Sequence, residues 1–190
     1  LSQSASSQDR VLNGIMSTLS LAASTKDEEI LHYTLFKIGY MAVKQSNTPY
    51  FIATKHAFPL ARVVTQLCAR NPMMCEVIMV QFYQNCPLTV PNLLDWDWDR
   101  VLLLTIPNNT SLVPGTLIYN EACECLINMK FDVISKPNTP LLYENRDKWV
   151  DRMMKIFSTW CLLSIQPEGV PINLSNAWVW LSNLVNNCLR

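Results

Sequence analysis

Apolar residues recur along this chain at three- and four-residue intervals, the spacing of one face of an α-helix. From about Gln8 to Ala23 they fall at Val11, Leu12, Ile15, Met16 and Leu19. Ser24-Thr25-Lys26-Asp27 breaks that pattern and caps the next helix, about Asp27 to Gln45, with Ile30, Leu31, Leu35, Phe36, Ile38, Met41 and Val43 as its apolar positions. Beyond Asn47-Thr48-Pro49, a third helix is expected to start near His56, with Pro59 in its first turn, where a missing N–H costs nothing. Its stripe is Leu60, Val63, Val64, Leu67 and Cys68. Asn71-Pro72 ends it and opens the fourth helix, Asn71 as N-cap and Pro72 at the first helical position. Met74, Val77, Ile78 and Phe82 face inward there, and Cys86-Pro87 stops the helix, because the residue before a proline is pushed out of helical geometry.

The second half is more broken. Pro91, Pro107, Pro114 and Gly115 punctuate residues 92–115, which read as one long loop carrying Asp95-Trp96-Asp97-Trp98-Asp99. Two readings of that segment stand side by side. Its tryptophans fold back on the core, as tryptophans usually do, or they form an exposed acidic-aromatic docking motif. Helix returns at about Leu117 to Met129, and Lys136-Pro137-Asn138-Thr139-Pro140 is another break. The clearest helix follows, about Glu144 to Ser164. Trp149, Val150, Met153, Met154, Ile156, Phe157, Trp160 and Cys161 lie on one side, and Arg146, Asp147, Lys148, Asp151, Arg152 and Lys155 on the other. The last helix runs from about Asn173 to the end, with Leu174, Trp178, Leu181, Leu184 and Val185 on one side. The expectation is one all-α domain over residues 1–190, built as stacked antiparallel helix pairs in a HEAT-like layout rather than as a four-helix bundle.

Composition narrows the function. Lys+Arg and Asp+Glu number 15 each, so a whole-surface attraction to nucleic acid or anionic membrane is not expected, although a local patch is compatible. Four glycines and no alternating strand-like runs argue against a sandwich or barrel. No apolar run reaches transmembrane length and no leader-like segment opens the chain, so it reads as soluble, without membrane insertion. Of the seven cysteines, Cys68, Cys75, Cys161 and Cys188 sit within apolar helical patterns and read as reduced, buried thiols of a nuclear or cytosolic protein. Cys123-Glu124-Cys125 lacks a second pair at zinc-finger spacing, so no metal site is expected. The glycosylation sequons at Asn108 and Asn173 read as chance matches.

Catalytic chemistry has no foothold. His32 and His56 are the only histidines, and neither belongs to a recognisable nucleophile pair. There is no phosphate-binding glycine loop, no H-E-x-x-H and no nucleophile elbow. Asp95, Asp97 and Asp99 imitate the start of a calcium loop but lack its glycine and its closing glutamate. No catalytic residue is assigned, and the chain reads as a non-enzymatic interaction domain. Arg62, Trp96 and Trp98 are its candidate partner-contacting residues.

Three segments resemble one family. They are Val43-Lys44-Gln45 followed by Ala57-Phe58-Pro59-Leu60-Ala61, then Cys86-Pro87-x-x-Val90-Pro91, then Arg152-Met153 followed by Pro171 to Leu181 with its paired Trp178 and Trp180. In this order they resemble the C-terminal domain of the mRNA-export factor Gle-one, whose pattern runs A-F-P-I-A, K-K-C-P-x-x-V-P, R-M-S and P-H-G-x-x-x-G-W-R-W-L-A. That domain continues for several more helices, so the chain reads as C-terminally truncated or shortened relative to it. The resemblance implies a helical-repeat fold similar to the middle domain of the translation initiation scaffold protein. It also implies an adaptor that binds and stimulates a DEAD-box RNA-dependent ATPase at the cytoplasmic face of the nuclear pore, with a further presence in the cytoplasm. A nucleoporin is a second implied partner, and no sequence-specific nucleic acid is. Two alternatives stand beside this: a translation-type scaffold binding an initiation helicase, and a structural α-solenoid of the pore.

In fungal members inositol hexakisphosphate glues the interface and needs a cluster of cations. The corresponding positions here are Lys44, Gln81, Gln84 and Asn85, so three expected cations are neutral amides. Weak or absent inositol-phosphate binding is therefore expected, with no other cofactor. Ala177 and Val179 replace the family's Gly and Arg around the tryptophans, which are themselves expected in the core.

Overall fold

The computed structural model describes residues 5–48, 50–90, 117–134, 142–165 and 174–188. Its elements are α1 (Ala5–Ser24), α2 (Glu28–Ser46), α3 (Ala53–Arg70), α4 (Pro72–Asn85), a 3-10 turn (Pro87–Thr89), α5 (Leu117–Asn128), β1 (Val133–Ile134), β2 (Leu142–Tyr143), α6 (Arg146–Ser164) and α7 (Leu174–Cys188). The fold is all-α. The two-residue antiparallel ladder β1–β2 is an addition that the sequence pattern does not announce. The long loop expected over 92–115 and the break at 136–140 lie outside the described residues.

Local chemistry sets most boundaries. The Asp27 carboxylate accepts from the N–H groups of Glu29 and Ile30, capping α2. Asn71 accepts from the Met73 N–H with Pro72 at the first helical position, so α4 starts where expected. Asn145 caps α6 in the same way, through the Asp147 N–H. Cys86, with ψ 100°, leaves helical space before Pro87 and ends α4.

One boundary differs from expectation. Helix α3 starts at Ala53, because Ile52 takes the N-cap place and its carbonyl accepts from Lys55 and His56. The His56 Nδ1 in turn accepts from the Ile52 N–H at 2.8 Å. Pro59 is therefore inside α3 rather than in its first turn, and the Lys55 carbonyl gives up its usual intrahelical partner.

The helices stack in two layers. α3 packs against α1 and α6 in one, α2 packs against α4 in the other, and α1 packs across onto α2. This is the stacked-pair layout that short connections and amphipathic stripes dictate. Ala57 and Ala61 are fully buried on α3, which packs against α6. α2 and α4 come close together at Gly39. A Cβ there would sit 2.8 Å from Val77 Cγ1 and 3.4 Å from Gln81 Cγ. The core gathers Leu12, Leu35, Val43, Leu67, Met74, Ile78, Phe82, Met153, Ile156 and Leu163.

Several stripe positions turn outward instead. Ile30, Phe36 and Met41 on α2, Val150 and Met154 on α6, and Trp178, Leu181 and Val185 on α7 are exposed. The physical reason on α2 is that the line Leu35–Gly39–Val43–Ser46 is the buried one, with Leu31, Ile38 and Ala42 packed partly against the core beside it. The expectation that both tryptophans of α7 enter the core is corrected. Trp180 packs inward, whereas Trp178 is 60% exposed, two residues away on the far side of the helix.

Candidate functional site

Two of the three sequence landmarks, the Cys-Pro exit and the segment that runs from Arg152-Met153 to the tryptophans, meet at one junction. Cys86, fully buried, donates its S–H to the Met153 carbonyl 3.6 Å away on α6. The 3-10 turn that follows is closed by Thr89 Oγ1 donating to the Cys86 carbonyl at 2.6 Å and by the Val90 N–H donating to Pro87 O at 3.0 Å. Trp180 Nε1 then donates to the Leu88 carbonyl at 3.0 Å, bringing α7 onto that turn. Its ring sits against Phe157 and Trp160 with centroids 5.3 and 6.1 Å apart. The Cys-Pro exit, the Arg-Met pair and the second tryptophan are thus one structural unit. Burial pushes the Cys86 thiol up to about 12, and burial likewise raises Cys68, Cys75 and Cys161. These are protonated, packing thiols rather than nucleophiles.

Arg152 extends this unit toward the ladder. Its guanidinium donates to Glu144 and to the Lys130 carbonyl, while Glu144 Oε1 also accepts from the Asp132 N–H at 3.0 Å. Both side chains are largely buried, at 14% and 11% exposure. The pair ties the end of α5 to the start of α6 across the base of β1–β2. A stacked Phe131–Trp149 pair, with centroids 4.9 Å apart, and a Trp149 Nε1 bond to Met129 O at 2.8 Å complete the joint.

The anion-site positions are partly brought together. On α4, Gln81 Nε2 donates to Gln84 Oε1 at 3.4 Å, and Asn85 Nδ2 donates to the Gln81 carbonyl at 2.7 Å and to its Oε1 at 3.4 Å. Gln81 is 1% exposed, at the close crossing with α2. These three residues bond to one another and carry no charge. Lys44 stands apart from that amide chain, exposed on α2 with its Nζ 5.4 Å from the Tyr40 ring centroid. Arg62 is exposed on α3. Trp96 and Trp98 lie outside the described residues. Among the described residues, no group of three or more metal-ligating side chains gathers. No described helix is long and apolar enough to cross a membrane.

Two features escaped the sequence pattern. The Lys37–Tyr40–Lys44 stack and the Arg152–Glu144 clamp both depend on three-dimensional neighbours. A usable signal for the first was present, since no acid occurs between Ile30 and Cys75.

A two-layer helical stack with two of its landmarks packed at a buried joint defines the all-helical class of this protein. The family model described as GLE1-like protein matches residues 1–98, just over half of the chain, and the chain belongs to that family. Among solved structures, it resembles a chain of an S. cerevisiae complex in which a Dbp5 variant C-terminal domain is bound to a Gle1 variant and IP6. That match has TM-score 0.67 and 18% identity over 98% of this chain and 56% of the other. A second S. cerevisiae complex, of Dbp5 variant C-terminal domain with Gle1 and IP6, matches with TM-score 0.64 at 18% identity and the same coverage. The chain thus spans little more than half the length of these structural relatives, and at this identity they speak for the fold. A comparison with curated proteins finds no match.

Proposed function

We propose that this chain is a non-enzymatic adaptor of mRNA export that binds a DEAD-box RNA-dependent ATPase and stimulates it at the cytoplasmic face of the nuclear pore. The observation that carries this reading is membership of the GLE1-like family together with a fold match, over 98% of this chain, to chains solved in complex with a Dbp5 helicase domain. Mechanistically, a rigid two-layer stack acts by preferring one conformation of a two-lobed partner and shifting its population. It needs no reactive group of its own, and the buried thiols here supply none.

Within this reading, inositol hexakisphosphate is weakly held or not held at all. Supporting this are the neutral, mutually bonded Gln81, Gln84 and Asn85, which leave Lys44 as the lone cation among those positions. A nucleoporin is proposed as a second partner. The test is RNA-stimulated ATP turnover by the helicase with and without this chain. Faster turnover supports the adaptor reading, and no complex with the helicase at micromolar concentrations contradicts it.

A further inference from the structure

Two of the seven cysteines face each other. Cys68 lies in the last turn of α3 and Cys75 near the start of α4, on either side of the corner at Asn71-Pro72. That corner is tightly drawn. The Asn71 N–H donates to the carbonyls of Leu67 and Cys68 at 3.0 and 3.2 Å, and the Met74 N–H donates to the Asn71 carbonyl at 3.0 Å. The Asn71 side chain accepts from the Met73 N–H at 3.1 Å. These bonds turn the chain from α3 into α4. They leave the two thiols in hydrogen-bonding contact within the core, Cys68 1% and Cys75 9% exposed.

Other described thiols are placed differently. Cys86, which has Cys161 for a neighbour, commits its S–H to the Met153 carbonyl. Cys123 and Cys125 are two residues apart on α5 and so project from different sides of that helix. Within the 68–75 pair the roles are unequal. Cys68 donates its S–H and Cys75 accepts it, which favours a thiolate at Cys75 and disfavours one at Cys68. Cys75 is also the more exposed of the two. Burial outweighs these differences and keeps both thiols protonated in the closed core. Reaction therefore begins with a local opening of the corner, which admits a small oxidant to Cys75 first.

We propose that Cys68 and Cys75 are a redox-sensitive pair that closes into a reversible disulfide in the presence of hydrogen peroxide, stapling the α3–α4 corner. The Cys75 thiolate attacks one peroxide oxygen, the O–O bond breaks, and a sulfenic acid and one water result. The Cys68 sulfur then attacks the Cys75 sulfur and expels its hydroxyl, which leaves as a second water with the Cys68 proton. The two thiols give up two electrons and two protons, and the peroxide takes them. The new bond joins α3 of one layer to α4 of the other and so restrains how the layers meet. The inference concerns the chain alone and stands or falls independently of the adaptor reading.

Its experiment treats the folded chain with a few equivalents of hydrogen peroxide, blocks the remaining thiols with iodoacetamide, and maps disulfides by mass spectrometry without reduction. Trypsin cleaves after Arg62, Arg70 and Arg100, so Cys68 and Cys75 fall in separate peptides, and fragmentation tells Cys75 from Cys86. The expected result is that the Cys68–Cys75 link is the first intramolecular disulfide to accumulate and that dithiothreitol clears it. The link is expected to persist in Cys123→Ala/Cys125→Ala. In Cys68→Ala, dimedone is expected to trap a sulfenic acid at Cys75. The oxidised wild type is expected to melt about 5 °C above the reduced chain. Disulfides that form first between other cysteines overturn the inference, as does a 68–75 link that forms only in urea. A dimedone adduct at Cys68 rather than Cys75 in the respective single variants overturns the assigned roles. An oxidised chain that melts no higher than the reduced one overturns the staple. Matching circular dichroism of the reduced variants guards against misfolding.

Discussion

At the scale of single residues, Arg152 carries a joint that its position in the helix pattern does not reveal. On a helical wheel it belongs to the charged face of α6, yet it is 14% exposed and satisfies both Glu144 and the Lys130 carbonyl. Removing it leaves a mostly buried carboxylate short of its partner. Arg152→Ala is expected to lower unfolding free energy by about 2–4 kcal/mol. Arg152→Lys is expected to recover little of it, because an ammonium cannot reproduce the forked contact. Urea denaturation midpoints measure both. Gly39 is a second such residue. Ala at 39 gains up to about 1 kcal/mol of helix propensity but presses on the stiff Val77, at a cost of about 1–3 kcal/mol. Gly39→Ala is therefore expected to destabilise, and Val77→Ala to rescue it in a double-mutant cycle. Cys86 gives a chemical readout. Its thiol is raised by burial to about 12, so it stays protonated at pH 8. Alkylation of Cys86 is then expected only through unfolding, while a rate equal to that of a free thiol contradicts its burial.

At the scale of elements, the caps and stops were legible because each is a local bargain between neighbouring residues. Asp27, Asn71-Pro72 and Cys86-Pro87 all act where the sequence places them. The start of α3 was not legible, since it depends on His56 reaching back to the Ile52 N–H, which outweighs the bias of Pro59 toward a first turn. Side-chain direction was legible only where a stripe had neighbours to meet. On α7 the periodic Trp178, Leu181 and Val185 mark a helix correctly, but Trp180 is the residue that finds an acceptor at Leu88. The candidate site was legible as a set of landmarks and not as a joint, because their convergence requires residues more than ninety positions apart to meet. The end of α5 shows how local strain is absorbed. Lys130 sits at φ 62°, with the Lys130 N–H bonding Ile127 O and the Phe131 N–H bonding Leu126 O, both at 2.9 Å, which is the Schellman arrangement. Lys130→Gly is expected to raise stability by about 1 kcal/mol through relief of the left-handed penalty, read as a higher melting temperature.

At the scale of the whole molecule, two layers of helices hold a buried joint, and the span from Ile30 to Cys75 holds no acid. Their contents bear differently on function. The joint explains why the family landmarks sit where they do, and it holds the layers in one geometry. Gln81, Gln84 and Asn85 form an uncharged amide chain on α4. Titration calorimetry at physiological salt is expected to show no sub-micromolar binding of inositol hexakisphosphate, and Gln84→Lys/Asn85→Lys is expected to strengthen binding by restoring two cations. This stack is proposed to act through a helicase, and steady-state ATP turnover reads that action. With the DEAD-box ATPase, RNA and ATP fixed, adding this chain is predicted to raise turnover in a saturable way, with or without inositol hexakisphosphate. Turnover that stays flat across a titration reaching saturating, micromolar amounts of the chain would contradict the account.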